Sequence, residues 1–190
     1  MLKQNSLYLG DCIDLFEKVE DHTIDLIFLD PPYNLQLNKV LTRPNHSVVN
    51  GVTQDWDKFD NYASYDEFTL SYLRECKRVL KPDGGLWIIG SYHNIFRIGK
   101  ILQDLNFWIL NDVIWAKSNP LPNFRATRLT NAHETLIWCS KKPKSRYQFN
   151  YHTLKVANED KQERSIWNFP ICSGKELSLI HISEPTRQAS

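Results

Sequence analysis

The sequence predicts an open α/β sheet with helices on both faces, built as one domain of 190 residues. Three observations predict it. TIDLIFLD and LWIIG are continuous apolar runs of strand length, the pattern of strands buried inside a sheet. Segments with apolar residues at helical spacing lie between the runs. Cap and turn residues punctuate the junctions, so strand and helix patterns alternate along the chain.

Taken in order, GDCIDLFEKV predicts a short helix capped by Asp11, with Ile13, Leu15 and Phe16 on it. TIDLIFLD predicts a strand buried on both faces of a parallel sheet. A long polar loop follows, roughly residues 34–63. Ser64 then predicts a helix start, with Glu67 completing a capping box and Phe68, Tyr72, Leu73, Val79 and Leu80 at helical spacing. KPDGG predicts a stop and a turn, because Pro82 cannot continue a helix and Gly84-Gly85 bend the chain. LWIIG, NIFRIGKILQDL, FWILNDVIW and ETLIWCS predict strand, helix, strand and strand. From about Lys141 the chain turns polar and no pattern dominates.

Composition excludes several classes. Apolar residues make up 42% and charged residues 24%, a globular balance with no run near the roughly 18 residues that span a bilayer. The N-terminus lacks a secretory pattern. Cys12, Cys76, Cys139 and Cys172 are too scattered for a metal knuckle and predict reduced thiols in the cytoplasm. His133-Glu134 has Ile137 where HExxH needs histidine, and no GxSxG elbow occurs, so neither a metal hydrolase of that type nor a serine hydrolase is expected, and no metal ligands are assigned. Net charge is only +1, yet Lys117, Arg125, Arg128, Lys141, Lys142, Lys144 and Arg146 face Glu134 alone within residues 113–146. That segment reads either as a polyanion-facing surface or as a solvated face. Six Trp and eight Tyr offer either core or stacking surface for bases.

Chemistry concentrates in IDLIFLDPPYN. Ligands of open α/β sheets bind beyond the carboxyl ends of strands, and Asp30 stands at such an end. Pro31 and Pro32 stiffen the turn and lack amide hydrogens. Tyr33 adds a flat ring. A carboxylate, a rigid backbone carbonyl and a stacking plate suit one task, the activation of a nucleobase amine. Its lone pair is delocalised into the ring. Two acceptors on its two hydrogens, Asp30 and the Pro31 carbonyl, draw the nitrogen towards tetrahedral geometry. Tyr33 stacks on the base, a contact worth roughly 1–3 kcal/mol, once the base is flipped from the duplex. The bland alternative is a tight turn with Asp as turn former.

These residues, together with GDCI, LTRPNHS, WDKF, RVLKPDGGLWIIGSYHNIF, NPLPNF, TNAHETLIWCSK and IWNFPICSGKE, carry a family resemblance. The chain resembles the S-adenosylmethionine-dependent amino-methyltransferases of DNA, in the permuted group where DPPY precedes the cofactor's glycine loop. Within that group it is most similar to the alphaproteobacterial cell-cycle-regulated adenine methyltransferases that modify GANTC. The resemblance covers residues 1–176 and implies a Rossmann-like methyltransferase sheet, methyl transfer to adenine N6, double-stranded DNA as partner, a bacterial cytoplasmic, nucleoid-associated location, and room for a homodimer. It assigns Asp30, Pro31, Pro32 and Tyr33 to catalysis, and Asp11, Cys12 and Asp30 to the cofactor; Asp11 alternatively serves only as a helix cap. It places Ser91, His93, Asn94 and Asn123 on loops lining the base pocket and DNA channel, with helix initiation as the plainer role for His93 and Asn94. Lys39, Arg43, Asn45 and His46 are assigned to the pocket mouth, and Arg125 and Arg128 to phosphate.

The sequence departs from the family past Glu176. An HPTQKP-like segment and an FxGxG-type loop are expected there, but no two glycines form GxG, and the end reads LSLIHISEPTRQAS. Leu177–Arg187 matches the translation of a transposase-type sequencing adaptor, so residues 177–190 are expected to be foreign to the fold. The sheet is then expected to lack its cofactor-loop part, and the fragment to bind S-adenosylmethionine weakly and to be inactive. Two alternatives stand beside the adenine reading: cytosine-N4 methylation, against which Asp rather than Ser opens the motif, and a non-catalytic DNA-binding remnant.

Overall fold

The computed structural model describes residues 2–35, 57–123 and 126–172. The elements are α1 (Cys12–Phe16), β1 (Ile24–Leu29), α2 (Tyr62–Val79), β2 (Leu80–Gly90), α3 (Ile95–Asp104), β3 (Trp108–Lys117), β4 (His133–Ser140), α4 (Tyr151–Ala157) and β5 (Ile166–Phe169). The sheet runs in the order β1-β2-β4-β3-β5. It is mixed: β1 and β2 are parallel, as are β3 and β5, while β4 runs antiparallel to both of its neighbours.

Local chemistry explains where the elements start and stop. Asp11 caps α1, accepting from the Ile13 amide at 2.8 Å. The long helix α2 begins at Asn61, three residues before the expected Ser64. Asn61 and Ser64 form a reciprocal capping box, because the asparagine amide caps as well as serine and Ser64 returns the bond from position N3. KPDGG is not a turn. It lies within β2, where the register against β1 slips between Ile24↔Leu80 and Leu26↔Gly85, so the extra residues bulge out while pairing continues. Gly84 is needed there, since a Cβ would meet the Ile24 and Asp25 carbonyls at 3.1 Å. At the end of α3, Lys77 donates to the Leu105 and Asn106 carbonyls, meeting the orphan acceptors of a helix terminus.

The core lies on one face. Tyr72, Leu73, Cys76 and Val79 of α2 and Ile95, Ile98, Ile101 and Leu102 of α3 close over Leu86 and Ile88 of β2 and Ile137 and Cys139 of β4. The other face carries aromatic residues. Trp87 and Trp138, register partners across β2 and β4, stack at 5.2 Å. Trp167 lies 5.8 Å from Trp87, and Tyr147 and Phe149 close on Trp138. Trp87, Trp138 and Trp167 thus pack with one another, whereas Trp115 stacks on Phe169 and Trp108 is half exposed. β1 departs from expectation: only Ile27 is buried, while Leu26 and Phe28 are 61% and 60% exposed. β1 is the outer strand of the described sheet, and α1 and α2 cover just one of its sides. Residues 177–190, and residues 36–56 where the sequence predicts a polar loop, lie outside the described residues.

Candidate active site

Sheet direction assembles the site. β1 and β2 are parallel, so their carboxyl ends put Asp30–Tyr33 beside Ser91–Asn94. β4 is antiparallel, so its amino end reaches the same rim, with Thr135 opposite Gly90. β3 returns there by its carboxyl end, with Trp115 opposite Glu134 and Ala116 opposite His133.

The Asp-Pro-Pro-Tyr turn is latched from below. The Pro32 carbonyl accepts from the Tyr65 hydroxyl at 2.9 Å and from Asn94 Nδ2 at 3.3 Å. Asn94 Nδ2 also reaches Tyr65 Oη at 3.2 Å, and Asn94 Oδ1 accepts from the Ser91 amide at 3.0 Å. The next residue, Asn34, takes a left-handed φ of 53° and donates its amide to Asp57 Oδ1 at 2.9 Å. With Pro32 engaged, the Pro31 carbonyl has no partner among the described residues and stays available as an acceptor. Asn94 is fully buried and spends its side chain on this latch. It therefore supports the turn from beneath instead of facing a DNA channel, and it makes no side-chain cap to α3.

Tyr33 is tied at its far end. Its hydroxyl donates to Glu134 Oε2 at 3.0 Å, and the other carboxylate oxygen of Glu134 pairs with Lys117. The Glu134 and Lys117 side chains are only 15% and 10% exposed, a charge pair taken largely out of water. Lys117 Nζ also lies 5.1 Å over the Trp115 ring. Partial burial raises the Asp30 pKa from its ordinary value; the nearby Tyr33 hydroxyl opposes that shift, and the Glu134 charge adds to it. Burial foremost, then the Glu134 and Asp30 charges, push the Tyr33 hydroxyl pKa far up, so it stays protonated.

Two clefts meet at Asp30 and Pro31, which line both. The first, about 610 Å³, is walled by Phe16, Leu29, Phe59, Phe68 and Tyr72, with Gly10, Asp11 and Cys12 at one end. It offers a flat apolar slot with a carboxylate near one end. The second, about 620 Å³, is lined by Tyr33, Asp57, Ser91, His93, Arg128 and Glu134 among others. At its mouth the Arg128 guanidinium sits 5.4 Å from the Tyr92 ring centre and bonds its hydroxyl, while Tyr92 packs on His93 at 4.1 Å. Burial and the Arg128 charge lower the His93 pKa, which favours a neutral imidazole. A site holding two acceptors at the junction of a flat apolar slot and a polar pocket can grip an amine from one side while a reagent approaches from the other.

Of the residues assigned from sequence, Asp11, Cys12, Asp30, Pro31, Pro32, Tyr33, Ser91, His93 and Arg128 line the two clefts. Asn123 lies in the loop beside Arg128 and donates to its carbonyl at 2.9 Å. Lys39, Arg43, Asn45, His46 and Arg125 lie outside the described residues. The basic segment does not form one surface: Lys117 is drawn inward by Glu134, and Lys141 is tucked against His22 and the Leu80 carbonyl. Sequence reasoning missed Glu134, Lys117 and Tyr65. Glu134's signal was an acid opening a strand, legible only once that strand is known to run antiparallel. No group of side chains able to hold a metal ion occurs among the described residues.

Comparison with known proteins gives the family and bears out the fold. The chain is 52% identical over 172 residues to the type II methyltransferase M.HinfI of Haemophilus influenzae, covering 90% of this chain and 48% of that protein. It is 42% identical over 169 residues to M2.MboI of Moraxella bovis, covering 88% and 61%. The chain thus spans about half to three-fifths of the length of these relatives. Among solved structures, the fold matches the PvuII DNA methyltransferase (cytosine-N4-specific) with TM-score 0.61 at 18% identity, over 88% of this chain and 57% of that one. It matches the M1.HpyAVI–SAM complex with TM-score 0.51 at 19% identity, over 83% and 60%. The sequence signature of the N6/N4 DNA methylases matches residues 24–184, and the chain belongs to that family.

Proposed function

We propose that this chain is the target-base half of a DNA methyltransferase that transfers a methyl group from S-adenosylmethionine to N6 of a flipped adenine in duplex DNA. The observation that carries this reading is the meeting of two clefts at Asp30 and Pro31. The aromatic walls of the first cleft suit the adenosyl ring, and Asp11 suits its amine, so the residues present fit the cofactor. When bound there, S-adenosylmethionine supplies an electrophilic methyl group.

The chain's own residues do the rest. Asp30 and the Pro31 carbonyl accept the two amine hydrogens and localise the nitrogen lone pair on the side facing the first cleft. Tyr33 holds the base flat, with its ring steadied through Glu134. The Tyr65–Asn94 latch keeps the Pro31 carbonyl from rotating, because its neighbour Pro32 is pinned. Such preorganised acceptors cost no reorganisation when the reaction occurs.

Asp as the first motif residue supports adenine over cytosine, and the sequence resemblance makes GANTC the first site to test. The chain is incubated with S-adenosylmethionine and a GANTC duplex, and the digested nucleosides are weighed by mass spectrometry. Any methylated base formed is expected to be N6-methyladenine, from a chain whose own turnover is expected to be weak or nil. N4-methylcytosine would overturn the choice of base, and duplex binding with no methylated product would favour a DNA-binding role.

A further inference from the structure

The Tyr33 hydroxyl has one proton and two carboxylates near it. It donates to Glu134 at 3.0 Å, while Asp30, three residues back in the same turn, lines the same cleft and is near enough to interact with it. Were that proton given to Asp30, it would occupy an acceptor needed for the substrate amine. Glu134 is well placed to win it. Lys117 fixes one Glu134 oxygen and leaves Oε2 aimed at Tyr33, and the pair is largely shielded from water. Asp30, by contrast, opens onto both clefts. The β3–β4 register, with Trp115 opposite Glu134 and Lys117 two residues on, makes this arrangement a product of the sheet itself.

We propose that Glu134 is a positioning residue that holds the Tyr33 hydroxyl proton away from Asp30, so that the Asp30 carboxylate stays open to the amine of an incoming base. This rests on the reading of the second cleft as a base pocket. It makes an unusual demand: deleting Glu134 is harmful because Tyr33 still has its hydroxyl. Removing that hydroxyl as well should repair the site. A merely structural Glu134 has no such repair.

The test uses the whole chain with two readouts. The first is the affinity for a duplex carrying adenine at the target position, divided by that for the same duplex carrying purine, which lacks the amine. Wild type is expected to prefer adenine. E134A should lose about tenfold or more of the preference, the scale of one hydrogen bond to a charged group. E134Q, which keeps an acceptor for Tyr33, should retain most of it. Y33F/E134A should recover it to within about threefold, because no hydroxyl is left to occupy Asp30. The second readout is the Asp30 carboxyl titration by carbon NMR on the free chain. Its midpoint should fall in E134A and rise again in Y33F/E134A. Since E134A orphans Lys117, the series is repeated in Lys117→Met/Glu134→Leu, which removes both charges and should behave alike.

A wild-type chain indifferent to the amine overturns the base-pocket reading and this proposal together. A preference that survives E134A, or one that Y33F fails to restore, overturns this proposal alone. So does an Asp30 midpoint that is the same in E134A and Y33F/E134A.

Discussion

The two clefts share Asp30 and Pro31 but are held in shape by different forces. The first is a packing object: Phe59, just before α2, and Phe68 and Tyr72 on it form a chain of ring contacts at 5.2–5.4 Å, so its walls are set by shape and apolar burial. The second is a hydrogen-bond object: its side is Tyr33–Glu134, backed by Lys117, and the Pro31 carbonyl it shares with the first cleft is set by the latch on the next residue, Pro32. Packing degrades by degrees, since neighbours relax into lost volume. A bonded network fails at a single missing partner, because the group left behind is buried and unsatisfied.

Substitutions at four positions sharpen that contrast. The largest effect is expected at the shared residue. D30A should lower methyl transfer by roughly a thousandfold, the scale of losing a preorganised polar group at the reacting centre, as measured by radiolabel incorporation. D30N should lose activity similarly yet melt slightly higher than wild type. The sign follows from the raised Asp30 pKa: the folded state binds that proton more tightly than the unfolded one. The ionised carboxylate therefore costs stability, and the cost sets in as pH rises through the carboxylate range and persists at neutrality. Thermal melts of both proteins between pH 3 and 7 check it; a gap that closes towards neutrality contradicts the assignment.

N94A should come next. It strips the latch and leaves the Ser91 amide and Pro32 carbonyl short of partners, costing about 1–3 kcal/mol of stability together with adenine preference. Denaturant unfolding and the adenine-to-purine comparison measure the two losses. F68A belongs to the first cleft and should weaken S-adenosylmethionine binding about tenfold, the scale of one ring contact, while sparing adenine preference. Calorimetry that finds both losses together would merge the two clefts into one. The smallest effect is expected from R128A on the exposed mouth. Duplex affinity should drop a few-fold for adenine and purine alike, and the salt slope should fall by about one. A base-dependent loss would move Arg128 inside the recognition pocket.

How much of this was legible in the sequence follows the same divide. DPPY announced itself because a strand pattern broke off at two prolines, and Asp11 because caps are local chemistry. The apolar wall of α2 was readable through helical spacing. Glu134 and Asn94 were not, since their roles depend on partners 101 and 62 residues away that only the strand order brings near. Asn94 sits in SYHN, which reads as a polar loop; Tyr92 there is indeed exposed, yet Asn94 itself is fully buried. KPDGG carried every local sign of a turn, but pairing with β1 continued past it, as tertiary context overrides local preference.

One glycine gives the site a heritable weak point. A Cβ on Gly90 would stand 2.6 Å from Asn94 Oδ1 and 3.3 Å from Ile95 Cδ1. The methyl group of alanine, the smallest change a codon can make there, would be transmitted through Asn94 to the Pro32 carbonyl without touching either cleft. Selection for loss of modification in a population should therefore find this buried position as readily as the exposed motif, and the resulting protein would be folded but mute.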